Sequence, residues 1–142
     1  MTRPPHWTLA REVLAGIVHH ARRDRPRECC GLLVGRRGLV LAAVATRNVA
    51  KGQSRYQIDD AAHIELRRIL RACSPRLEIV GVYHSHPAGP ARPSGTDIAQ
   101  AFYPGWIHLI VGMKGRASVR AYRIASGRVQ EVSIRRKSGH SI

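Results

Sequence analysis

The apolar run from Leu77 to His84 ends in His84-Ser85-His86-Pro87, and this ending constrains the chain more than any other stretch. Ile79-Val80-Gly81-Val82 reads as the core of a buried strand. On a strand, residues i and i+2 face the same side. His84 and His86 therefore project together, and Ser85 points the other way. Pro87 has no N–H with which to continue the strand pairing. The segment Pro87-Ala88-Gly89-Pro90-Ala91-Arg92-Pro93 holds three prolines in seven residues, which limits the freedom of the loop leading to Ser94 and Asp97. A fold for this chain must bury the strand, deliver both imidazoles at its end, and bring the loop back beside them.

The remaining chain supplies elements on both sides of that strand. Thr8 to about Arg23 reads as an amphipathic helix: Thr8 can cap it, and Leu9, Val13, Leu14, Ile17 and Val18 recur on one face. Arg22 and Arg23 suit the negative end of its dipole. His19 and His20, at that end, are expected to be exposed. Cys29 to Gly35 and Leu39 to Thr46 read as a hairpin turning at Arg36-Arg37-Gly38. A polar loop from Asn48 to Arg55 leads to a short strand, Tyr56-Gln57-Ile58. Asp59 or Asp60 caps a helix through about Cys73, with Ile64, Ile69 and Leu70 as apolar positions and His63 on the surface. Ser94-Gly95-Thr96-Asp97 opens a short helix through Phe102. Three strands follow, Trp106 to Gly112, Ala117 to Ile124 and Arg128 to Ile134. His108 falls between apolar neighbours and is expected to be a satisfied or half-exposed side chain. This mixed order predicts an α/β fold, a central mixed sheet flanked by helices. Residues 1–142 form one domain, with a core over about 8–134 and a loose basic tail over 135–142.

At 142 residues, 44% of them hydrophobic, the chain can bury roughly two-thirds of its surface around a real core. No apolar stretch is long enough to span a membrane, and Met1-Thr2-Arg3-Pro4-Pro5-His6 lacks the apolar middle of a signal peptide, so a cytoplasmic location is expected. The three cysteines agree: Cys29 and Cys30 are adjacent, Cys73 is distant, and no C-x-x-C accompanies them. Cys29 and Cys30 read better as small core residues than as thiolate ligands. The net charge is +15, and all 24 basic residues but Lys51, Lys114 and Lys137 are arginine, spread along the chain. Such a surface attracts an acidic partner or is simply well solvated. With 5% aromatic residues, no RNA-binding signature and no zinc-finger spacing, nucleic acid is not expected as the principal partner.

His84, His86 and Asp97 are metal-ligand types. Alone, a His-x-His is weak evidence, and an acid at a helix start is more often a cap. Together with Ser94 in one short window they point to a metal. Catalytic zinc needs three protein ligands, an open position and a base. Two neutral imidazoles and one carboxylate leave the site net positive, which acidifies water to a pKa of about 7. Glu28, in Pro26-Arg27-Glu28-Cys29-Cys30-Gly31, stands where the chain enters an apolar strand and can take that water's proton, then hand it to a leaving amine. The Ser94 hydroxyl can stabilise the developing oxyanion. A serine nucleophile is rejected because no G-x-S-x-G surrounds Ser94. A His₂Asp set also suits iron, cobalt or manganese.

Glu28, then His84-Ser85-His86-Pro87, then Ser94-x-x-Asp97 closely resembles the JAMM signature of MPN-domain (Mov34/JAB-type) metalloproteases. Pro26-Arg27-Glu28-Cys29-Cys30-Gly31-Leu32-Leu33-Val34-Gly35 resembles the family's segment around its catalytic glutamate, and similarity runs from about Leu9 to Ile134. The resemblance implies a cytidine-deaminase-like fold and one Zn²⁺ per chain on His84, His86 and Asp97. It further implies Glu28 as general acid/base and Ser94 as transition-state donor. Members cleave peptide or isopeptide bonds at the C-terminus of ubiquitin or ubiquitin-like proteins. This compact chain resembles the small stand-alone bacterial members, some of which release cysteine from the C-terminal Gly-Gly of a sulfur-carrier protein. That is the expected substrate class. The alternatives are a general isopeptidase, a cell-wall or phage-type peptidase, or a basic binding module with a structural metal; homo-oligomerisation is left open. Base deamination is not expected, since the H-x-E and P-C-x-x-C of those enzymes are lacking.

Overall fold

The computed structural model describes residues 6–52 and 54–138. The end of the expected basic tail, residues 139–142, lies outside them. In chain order the elements are β1 (His6–Ala10), α1 (Arg11–Asp24), β2 (Cys30–Arg36), β3 (Leu39–Thr46), α2 (Asp60–Arg71), β4 (Glu78–His86), α3 (Gly95–Ala99), β5 (Ile107–Gly112), β6 (Ser118–Ala125) and β7 (Arg128–Lys137).

The strands form a mixed sheet in the order β1-β3-β2-β4-β5-β6-β7, closed into a barrel by a parallel pairing of β1 with β7. The expected α/β class and mixed sheet hold; the closure is additional. It depends on β1, where the sequence pattern alone places the start of the first helix. Trp7 and Leu9 are buried while His6, Thr8 and Ala10 are half-buried, a period of two that five residues barely reveal. Thr8 therefore pairs in a strand, and α1 begins after Ala10 without a side-chain cap. The same strand orders part of the expected tail, since Arg135, Arg136 and Lys137 pair with Thr8, Leu9 and Ala10.

Each face of the sheet has its own core. On one, Leu14, Ile17 and Ala21 of α1 pack with Leu33, Tyr83, Leu109 and Val111. On the other, Leu70 of α2 packs with Leu32, Val34 and Ile79, and a third cluster joins Ala91, Ile110, Tyr122 and Ile124. Strand alternation places Leu32, Val82, His84 and Ile110 on this second side and Tyr83 and Ser85 on the first. Ile64 and Ile69, named among the apolar positions of α2, remain exposed; α2 meets the sheet chiefly through Leu70 and half-buried Leu66.

Three further expectations are corrected. Residues 56–58 form no strand; Ile58 makes a single bridge to Asn48, because the Asn48 side chain takes the neighbouring backbone groups. The helix opened by Ser94 ends at Ala99, short of Phe102. His20 is buried, with Nδ1 2.7 Å from the Tyr83 hydroxyl and Nε2 3.1 Å from Asp24 Oδ2, whereas His19 is exposed.

Candidate metal centre

β4 delivers His84 and His86 at the barrel rim with Nε2 atoms 3.2 Å apart. Asp97 Oδ2 lies 3.1 Å from each. The three ligand atoms form a nearly equilateral triangle. Nitrogen and oxygen ligands stand about 2.0–2.1 Å from zinc, so tetrahedral neighbours are roughly 3.3 Å apart, and these edges fall just inside that spacing.

Local chemistry holds each corner. Ser94 caps α3: its Oγ accepts the Asp97 N–H at 3.1 Å, and its own N–H donates to Asp97 Oδ2 at 2.9 Å. Asp97 is thus both a cap residue and a corner of the triangle, so the two readings of an acid at this position coexist. His86 Nδ1 donates to the Pro90 carbonyl at 2.9 Å, which fixes the ring with Nε2 facing Asp97. The proline-rich loop is pressed onto the end of β5 at Gly112, where a Cβ would come within 2.2 Å of the Ala91 N. Only glycine admits that crossing. The Tyr122 hydroxyl donates to the Ala91 carbonyl and secures the loop from β6.

Glu28 enters from the turn before β2 and is 6% exposed. Its ligand atom and those of His84 and His86 all lie within 4.8 Å of one another, and its Oε1 has no hydrogen-bond partner. Burial, assisted by the Asp97 charge and opposed by His86, pushes its pKa up to about 7. Burial also opposes charge on Asp97, but hydrogen bonds from His84 and His86 outweigh it and hold that carboxyl well below the usual range. For His84, fully enclosed, burial lowers the pKa despite the opposing pull of Asp97. For His86 burial acts the same way, yet the bonds to Asp97 and Pro90 prevail and raise its pKa. The buried aspartate therefore calls for a positive charge between two imidazoles, and the Glu28 carboxylate, with one unpartnered oxygen, lies close by. A divalent cation fits this donor set. Of the two carboxylates, Asp97 stands 3.1 Å from both imidazoles, and Glu28 lies within 4.8 Å of them.

Other side chains near the rim were not foreseen from sequence. The Tyr56 ring stacks on His84 with centroids 4.2 Å apart and planes 18° apart. Beside them runs a cleft of about 420 Å³ lined by Tyr56, His63, Tyr103, Trp106 and His108 among others. His63, expected at the surface, is half-buried there against Tyr103 and Trp106. His108, expected to be satisfied or half-exposed, is 4% exposed with an unpartnered Nε2, and burial lowers its pKa to about 4. Cys29 and Cys30 are buried free thiols whose pKa values burial pushes up to about 12 and about 11, so neither is a thiolate. Among the described residues no helix is long and apolar enough to cross a membrane.

Residues 10–125 match the model of prokaryotic homologs of the JAB domain. The chain is 33% identical over 125 residues to the "CysO-cysteine peptidase" of Mycobacterium tuberculosis, covering 84% of each chain. It is 35% identical over 129 residues to the "Probable TtuB-protein conjugate cleaving protease" of Thermus thermophilus, covering 89% of this chain and 80% of that one. Among solved structures, protein DSY2949 from Desulfitobacterium hafniense superposes with a TM-score of 0.83 at 29% identity, covering 92% of both chains.

Proposed function

This chain belongs to the family of prokaryotic homologs of the JAB domain, and from that premise we propose that it is a zinc-dependent peptidase. It hydrolyses the bond after the C-terminal Gly-Gly of a ubiquitin-like sulfur-carrier protein and releases an amino acid such as cysteine. The observation that carries this reading is the triangle of His84, His86 and Asp97 with buried Glu28 behind it. The two relatives support the substrate class, one named for a protein–cysteine adduct and the other for protein conjugates. The conjugate-cleaving relative keeps isopeptide bonds within the same reading.

His84, His86 and Asp97 would hold one Zn²⁺ per chain, which would supply a Lewis acid that acidifies water and polarises a carbonyl oxygen. Glu28, whose burial keeps its proton affinity near neutrality, takes a proton from the attacking water and delivers it to the leaving amine. The Ser94 hydroxyl, whose oxygen accepts the Asp97 N–H, keeps its own proton to donate to the developing oxyanion. The cleft walled by Tyr56, whose ring stacks on His84, gives the substrate tail a lined approach. We further read the fold as cytidine-deaminase-like and the chain as a single domain. Its free thiols suit the cytoplasm.

The test is incubation of zinc-loaded protein with a carrier–cysteine adduct and a carrier–protein conjugate, followed by mass. Loss of the residue mass after Gly-Gly, abolished by Glu28→Gln with zinc retained, is expected. Intact substrates in both arms would sink the proposal.

A further inference from the structure

Asn48 follows β3 and makes four hydrogen bonds with one amide group. Its Nδ2 donates to the Glu28 carbonyl at 2.9 Å and to the Arg55 carbonyl at 2.9 Å. Its Oδ1 accepts the Ala50 N–H and the Gln57 N–H, each at 3.0 Å. An asparagine amide has two donor hydrogens and two acceptor lone pairs, so this side chain is saturated.

The partners are distributed in a telling way. Arg55 and Gln57 flank Tyr56, so one side chain holds the backbone on both sides of the ring that stacks on His84. The same amide holds the carbonyl of Glu28. Two pieces of the site, the acid and the cover on a histidine, thus answer to a single residue.

We propose that Asn48 is a positioning residue that sets Glu28 and, through Tyr56, the His84 ring together. The inference rests on the reading of His84 as a metal ligand and Glu28 as the base. Asparagine is required because glutamine would place the amide one methylene too far, and aspartate would turn two donors into acceptors facing carbonyls. Tyr56 contributes through its ring face, which limits rotation of an imidazole that must present Nε2 to the cation. Partners of this kind, one step removed from a metal, alter affinity or activity by about 10–100-fold when removed.

The decisive readout uses metal-free protein, in which the aromatic ring current of Tyr56 shifts the His84 ring protons. Asn48→Asp is nearly isosteric and replaces the two donors with a carboxylate oxygen that faces the Glu28 and Arg55 carbonyls. It is expected to move the His84 proton signals toward those of Tyr56→Leu. It should also lower kcat by about 10–100-fold with KM within about threefold. Tyr56→Leu should weaken zinc binding in a competitive titration by about tenfold or more, while Tyr56→Phe, which keeps the ring, should match the parent. An unmoved His84 signal in Asn48→Asp, or parental zinc affinity in Tyr56→Leu, overturns the inference. If Asn48→Asp fails to fold, the Tyr56 pair alone decides. Because the proton signals and the zinc titration involve no substrate, an error in the substrate class leaves these two results standing.

Discussion

Ser85 and Cys29 are stitched together in both directions: the Cys29 N–H donates to Ser85 Oγ at 2.8 Å, and the Ser85 N–H donates to the Cys29 carbonyl at 3.2 Å. Ser85 is the residue between the two histidines, and Cys29 follows Glu28. The alternation that sends His84 and His86 to the Asp97 side turns Ser85 to the opposite face, where it moors the segment carrying Glu28.

Ser85→Ala leaves the buried Cys29 N–H without its partner, a loss of about 1–2 kcal/mol in urea unfolding. Slack at Glu28 should lower kcat by roughly ten- to a hundredfold, with zinc content unchanged by metal analysis. Parental kcat would show that the stitch is not needed for alignment.

Glu28→Gln should abolish turnover yet stabilise the metal-free protein in alkali. The Glu28 pKa is raised from 4.5 to about 7, so its contribution is present below pH 4.5 and disappears as pH rises through 7. At pH 8 in chelator, the glutamine variant should therefore be more stable than the parent by about 2–3 kcal/mol. Equal stabilities at pH 8 would contradict burial as the cause of the shift.

His108 acts in the opposite direction. Its pKa is lowered from 6.5 to about 4, so stability is full above pH 6.5 and is lost as pH falls toward 4. Between pH 7 and pH 5 the parent should lose about 2 kcal/mol that His108→Phe does not lose. Parallel pH curves in chemical denaturation would exclude this residue as a source of acid sensitivity.

Gly112→Ala puts a methyl group into the backbone of the proline-rich loop, which cannot move aside as a side-chain tip could. The expected outcome is a loss of about 1–3 kcal/mol. Asp97 should also shift, weakening zinc binding about tenfold or more in competition with a chelating dye.

The net charge of +15 should steer an acidic carrier toward this surface. Association rates measured by stopped flow should then fall as salt rises from low to physiological concentration. A rate independent of salt removes steering from the account.

Some of this geometry is written locally in the chain. His84 and His86 share a side because strand alternation needs only the residues between them, and Ser94 meets Asp97 because a capping box spans three positions. The apolar runs of β2, β4 and β5 likewise announce themselves. Five residues of β1 do not, because a short alternating stretch followed by helical spacing is easily read as one helix; pairing with β3 and β7 decided it. Nothing near Asn48 indicates Glu28, and nothing near His20 indicates Tyr83, since those partners lie far along the chain. The amino-acid order by itself determined the apolar strands β2, β4 and β5, the Ser94 cap and the shared side of His84 and His86. Only packing decided the closed barrel, the depth of Glu28 and the cover over His84, because contacts between distant segments arise from the shape the whole chain adopts.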